Sequence, residues 1–181
     1  IPGSWFIGID GGFAPWVGSL IKDINQKIVI VCPEGREEEV VTRLARVGYD
    51  NAVGYLKGSF LSWEKTGRKI DTIIQETAEE LEEKNKNGIN IIDVRKSTEY
   101  NVEHIESAKN KPLDYLFNHY KEIDKEKKYH IHCAGGYRSV IYISILKSKG
   151  YKNLIDIIGG YAAIKRTNMP KTEFICSNTK N

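Results

Sequence analysis

The residues with most chemical potential stand together in Cys133-Ala134-Gly135-Gly136-Tyr137-Arg138-Ser139. They follow an apolar-alternating run over 129–132 and precede residues 140–146, whose apolar spacing is helical. The pattern predicts strand, tight loop and helix, with Gly135 and Gly136 freeing the backbone to curl. A loop curled this way turns its N–H groups inward, and the helix behind it adds its positive end. Sulfur at the base of such a cradle is favoured as thiolate, the nucleophilic form. Cys133 is therefore the candidate nucleophile. Ala134, Gly135, Gly136, Tyr137 and Arg138 are the candidate substrate-binding lining, Arg138 adding a fixed charge and a fork of donors at the rim. Arg138 has a second reading as a brace held by a carboxylate such as Asp93. Ser139 either donates to the sulfur or is simply the first helical residue.

Other reactive side chains are weaker candidates. Cys32 ends another apolar run, 27–31, and is a candidate secondary thiol; Cys176 sits in a polar tail and reads as incidental. Three cysteines without paired spacing make neither a disulfide framework nor a metal knuckle, so a reducing, cytoplasmic location is expected. His130 and His132 share one strand face but lack a cysteine or acid at ligand spacing, so they read as structural and no metal is expected on this chain. The 181 residues suit one or two compact domains. With 27 basic and 24 acidic residues the net charge is only +3, which demands neither nucleic acid nor membrane as partner. Neither a spanning apolar run nor a signal-peptide pattern is present in the sequence.

The elements that must position the loop occur twice. An apolar run ends in cysteine at Cys32 and again at Cys133; a helical stretch follows each. Gly48-Tyr49-Asp50-Asn51 then answers Gly150-Tyr151-Lys152-Asn153, and Gly58-Ser59-Phe60 answers Gly159-Gly160-Tyr161. The domains read as 1–70, a partial and degenerate copy; 71–170, the complete copy; and 171–181, a polar tail expected to fray. In the complete copy Thr77-Ala78-Glu79-Glu80 is a capping box, 89–94 a strand, and Ser97 the expected cap of a short helix. A helix around 114–120, a strand over 154–157 and a helix over 161–166 complete it. Alternating strands and helices imply an α/β fold, a parallel sheet flanked by helices. In the first copy Pro33, Glu34 and Glu37 replace the alanine, a glycine and the arginine of the second loop. The acids there raise the Cys32 thiol and repel an anionic sulfur donor. Trp5, Phe13, Trp16, Phe60 and Trp63 are expected to pack a core.

The Cys133 loop, with four residues between cysteine and arginine, resembles the active loop of the rhodanese sulfurtransferases. Cysteine-dependent phosphatases have a longer ring, so sulfur transfer is favoured over phosphatase or arsenate-reductase chemistry. Asp93-Val94-Arg95 and Ile1-Pro2-Gly3 resemble further rhodanese motifs. The resemblance implies double displacement through a Cys133 persulfide. The donor is thiosulfate or a low-molecular-weight persulfide, the acceptor a thiol, sulfite or cyanide, and no cofactor is needed. Residues 8–18 and 34–39 resemble the degenerate middle domain of bacterial metallo-β-lactamase–rhodanese fusions. That likeness implies a covalent N-terminal metallo-β-lactamase-like domain holding Fe(II), upstream of Ile1, in a larger persulfide-detoxifying protein. A non-catalytic persulfide carrier or docking module is the remaining alternative.

Overall fold

The computed structural model describes residues 1–174, so Cys176 and the end of the tail lie outside the described residues. The chain divides into two compact units, Ile1–Pro2 with Ile7–Asp71, and Gly3–Phe6 with Thr72 onward.

The first unit runs α1 (Phe13–Leu20), β1 (Ile28–Ile30), α2 (Glu37–Ala45), β2 (Ala52–Tyr55) and α3 (Ser59–Lys65). Its two strands pair in parallel, with an irregularity between Ile28 and Val29. Ile9, Phe13, Val17, Ile30, Val40, Leu44 and Tyr49 form its core. Glu37, Glu38 and Glu39 occupy the first turn of α2 and complement the positive end of the helix. Of the aromatic residues expected to pack, only Phe13 is fully buried. Trp5 instead belongs to the second unit, where its indole N–H donates to Ser148 at 2.9 Å and its ring lies 5.8 Å from Phe117.

The second unit runs β3 (Ile74–Glu76), α4 (Ala78–Asn85), β4 (Asn90–Asp93), α5 (Ser97–Val102) and β5 (Ala108–Asn110). After a 3-10 turn over Leu113–Tyr115 come α6 (Leu116–His119), β6 (Tyr129–His132), α7 (Tyr137–Ser148), β7 (Leu154–Ile157) and α8 (Gly160–Ile164). The strands form a five-stranded sheet in the order β3-β7-β6-β4-β5, and every pairing is parallel. One face, with Ile91, Ile155 and Ile157, is covered by Ala78 and Leu81 of α4 and by Tyr161 and Ile164 of α8. Strand alternation turns the buried Ile92 and Ile131 to the other face. Helix α7 packs on β6 and β7 and buries Ile141, Tyr142, Ile143, Ile145 and Leu146. Each such side chain contributes roughly 1.5–3 kcal/mol on burial, so the element behind the cysteine loop is among the best anchored in the unit.

The capping box is formed as expected: Glu80 N–H donates to Thr77 Oγ1 at 3.2 Å and Thr77 N–H to Glu80 Oε2 at 2.7 Å. Ser97 is not a cap. Lys96 occupies the N-cap position, and the Ser97 hydroxyl turns to Asn110 Oδ1 at 3.0 Å. The segment after Pro170 is held at its start, where Thr172 N–H donates to the His104 carbonyl at 2.9 Å.

Candidate active site

Parallel pairing sets Asp93 beside His132 at the carboxyl ends of β4 and β6, where an open α/β sheet presents its crevice. Cys133 follows at once and is 1% exposed. Gly136, at φ 105°, is the N-cap of α7; only glycine enters that region without strain. The turn brings Gly136 N–H to Cys133 Sγ at 3.1 Å, and the Ser139 hydroxyl stands 3.7 Å from the same sulfur. Ser139 also donates to the Gly136 carbonyl at 3.1 Å, which fixes its rotamer. The α7 N-terminus thus faces the sulfur with oriented dipoles that favour negative charge.

The loop is shaped from behind by α8. Tyr161 N–H donates to the Cys133 carbonyl at 2.7 Å and Ala162 N–H to the Ala134 carbonyl at 3.0 Å. Gly160, at φ 55°, allows this approach, because a Cβ there would lie 2.5 Å from the Cys133 carbonyl oxygen. Two carbonyls are therefore held away from the sulfur. Gly159-Gly160-Tyr161 was visible in the sequence only as part of the repeat; its role in shaping the loop comes from this packing.

A buried network supports the same corner. Arg95 grips the Asp93 carboxylate with Nε at 2.8 Å and Nη2 at 2.6 Å, and its guanidinium lies 3.9 Å from the centre of the Tyr161 ring. His132 stacks on Tyr161 at 6.0 Å, and its Nδ1 is 3.3 Å from the Cys133 carbonyl. Burial pushes the His130 and His132 rings down and keeps them neutral near pH 7, although Glu76 and Asp93 respectively oppose the effect. Among the described residues no three His, Cys, Asp or Glu side chains converge as metal ligands.

Arg138 is held by Glu99, not Asp93. Its Nη1 and Nη2 meet Glu99 Oε2 and Oε1 at 2.6 and 2.8 Å. The fork assigned to the rim is thus occupied by a carboxylate, whose pKa Arg138 in turn lowers. Glu99 carries no motif signal in the sequence; its proximity arises from folding across 39 residues.

Cys32 occupies a different setting. Burial first, then the Glu37 carboxylate, pushes its thiol up, while Arg36 opposes them. Arg36 is itself bound to Asp10 and Glu39 at 2.8 Å each. Where the second unit has Gly160 the repeat places Ser59, whose φ is 59°. A Cβ thus occupies the position where the Cys133 loop tolerates none.

The fold and the loop point to one family. The model of the Rhodanese-like domain matches residues 1–66 and 76–167, so the chain belongs to the rhodanese-like family, with a match in each unit. It is similar to the thiosulfate sulfurtransferase GlpE of Coxiella burnetii, 32% identical over 80 residues, 44% of this chain and 75% of that protein. It is also similar to the adenylyltransferase and sulfurtransferase uba4 of Ogataea parapolymorpha, 36% identical over 72 residues, 39% of this chain but 18% of that one. A third relative, the putative sulfur carrier protein YrkF of Bacillus subtilis, is 31% identical over 72 residues, 40% of this chain and 39% of its own length. The chain therefore spans well under half of two of these relatives. Among solved structures, the rhodanese-like domain of an Anabaena protein aligns with TM-score 0.53 and 26% identity, covering 61% of this chain and 86% of that domain. No helix among the described residues is long and apolar enough to cross a membrane.

Proposed function

We propose that the second unit is a sulfurtransferase that carries sulfane sulfur on Cys133. The thiolate attacks the outer sulfur of thiosulfate or of a low-molecular-weight persulfide. The donor S–S bond breaks, sulfite or thiolate departs with the electron pair, and Cys133 is left as Cys–S–S⁻. A thiol, sulfite or cyanide acceptor then attacks the terminal sulfur, and Cys133 leaves as thiolate. No external base is needed, because the thiolate form itself is the nucleophile. The Gly136 N–H offers a preorganised hydrogen bond to sulfur in both half-reactions, and the Ser139 hydroxyl, 3.7 Å from Sγ, adds a second when its proton turns from the Gly136 carbonyl to the developing charge. The observation that carries this reading is the Gly136 N–H at 3.1 Å from Cys133 Sγ, in a loop whose carbonyls are tied back to α8. Thiocyanate formation from thiosulfate and cyanide tests it: the unaltered protein turns over and Cys133→Ser does not. Equal turnover by both would remove Cys133 from the reaction.

The first unit is a degenerate copy that serves as scaffold. The likeness of residues 8–18 to the metallo-β-lactamase–rhodanese fusions supports a reducing, cytoplasmic role beside a covalently attached Fe(II) domain in persulfide detoxification. The full reading frame tests that placement, which is expected to encode such a domain upstream; a frame without one would end the idea.

A further inference from the structure

The cradle contains a carboxylate that sulfur chemistry does not require. Glu99 stands in the first turn of α5, fastened to the start of its own helix: Lys96 N–H donates to Glu99 Oε2 at 3.2 Å, and Glu99 N–H to the Lys96 carbonyl at 2.9 Å. From there both of its oxygens engage Arg138, two residues beyond the N-cap of α7. The pair is partly enclosed, with side-chain exposures of 16% for Arg138 and 36% for Glu99. Planar two-point geometry at these distances fixes the guanidinium in place as well as neutralising it.

The neighbouring charges are balanced in the same way, since Arg95 is bound to Asp93. Both arginines of this corner, Arg95 and Arg138, are thus neutralised by carboxylates; negative charge on the Cys133 sulfur is met by the Gly136 N–H at 3.1 Å, with the Ser139 hydroxyl 3.7 Å away. Such dipoles stabilise charge located on the sulfur itself. They do little for a second charge carried a bond or two away. Thiosulfate brings two charges, one of them spread over its sulfonate oxygens, whereas a simple alkyl persulfide brings one, on the transferred sulfur.

We propose that Glu99 is a specificity-determining residue: by holding and neutralising Arg138 it biases the Cys133 loop against doubly charged donors and towards singly charged persulfides. This rests on the reading of Cys133 as sulfur carrier. Both donors give the same balanced step. Cys–S⁻ and S–SO₃²⁻ yield Cys–S–S⁻ and SO₃²⁻, and Cys–S⁻ and R–S–S⁻ yield Cys–S–S⁻ and R–S⁻. The discrimination lies in the charge of the incoming molecule and not in the chemistry.

The test compares kcat/KM for thiosulfate and for 2-hydroxyethyl persulfide in the unaltered chain, in Glu99→Gln and in Glu99→Asp, at low and high salt. Glu99→Gln retains a hydrogen-bond acceptor for Arg138 but uncovers its charge. The thiosulfate-to-persulfide ratio is expected to rise about fivefold at low salt, the scale of one partly screened charge at several ångströms. Most of that gain is expected to disappear at high salt. Glu99→Asp keeps the charge and is expected to keep the original ratio, whatever it does to absolute rates. Both donors losing equally in Glu99→Gln, with the ratio unchanged, would make Glu99 a structural brace only and overturn the proposal. Intact mass separates this from failure of the underlying reading: if neither donor places sulfur on Cys133 of the unaltered chain, it is the carrier assignment that falls.

Discussion

Gly160 lies so close behind Cys133 that its missing side chain is part of the loop's geometry. A Cβ at 160 would stand 2.5 Å from the Cys133 carbonyl oxygen and 2.9 Å from the carbonyl carbon and oxygen of Ala134. The neighbouring Tyr161 N–H closes on that same Cys133 oxygen at 2.7 Å. All three crowded atoms are backbone, so no rotamer change relieves them. Gly160→Ala must push the loop off α8 and turn its carbonyls towards the sulfur. The positive φ adds a strain of its own.

We expect Gly160→Ala to lower stability by about 1–3 kcal/mol, the range for a non-glycine residue held in a sparsely populated region. Sulfur transfer is expected to fall further than the loss of folded protein explains. Urea unfolding together with turnover of the fully folded fraction measures both; full activity per folded molecule would contradict the loop-shaping role.

Arg95 tests the buried support. Replacing it by Met removes the cation from Asp93, which is fully buried. The expected cost is about 3–5 kcal/mol, as for breaking one partner of a buried pair. Asp93→Asn together with Arg95→Met is expected to recover part of that loss, because no uncompensated charge remains. Denaturant midpoints of the two variants decide it, and equal midpoints would mean that the pair is not coupled.

His119 provides a pH test. Burial, and then Lys111, bring its ring down to about 4, with Glu122 opposing; its Nε2 lies 3.1 Å from the Tyr142 hydroxyl. The unfolded chain then binds more protons than the folded one between the ordinary histidine value and about 4. The contribution is fully present above the ordinary value and is lost as pH falls through that window. His119→Gln is expected to show a shallower loss of stability between pH 6.5 and 4 than the parent, with the window set by that shift. Parallel curves from thermal or urea unfolding across the series would remove His119 from the acid response.

The strand–loop–helix around Cys133 and the parallel α/β order were legible because apolar runs, glycines and their repetition are local signals. The edge strands Ile74–Glu76 and Ala108–Asn110 were not. Each has three residues and lies at a border of the sheet, too short and too exposed to show an alternating pattern. Helix α1 was likewise read only as a motif, its Gly-Gly and Pro content masking a helical stripe. In the site, the cysteine, glycines and serine could be named from the sequence, but the partner of Arg138 could not. Asp93 was the carboxylate at hand in a recognisable motif; folding gives it to Arg95 and leaves Glu99 for Arg138. Pairings across tens of residues depend on how the helices dock, and that has no local signature.

The central claim, that Cys133 alone carries the sulfur, is tested most directly by intact mass after treatment with thiosulfate or a simple alkyl persulfide. The parent chain and Cys32→Ser are each expected to gain the mass of one sulfur atom, mapped by peptide analysis to Cys133, with turnover in Cys32→Ser nearly unchanged. Cys133→Ser is expected to gain none. An adduct that survives in Cys133→Ser, or one trapped on Cys32 with activity lost in Cys32→Ser, would contradict the account.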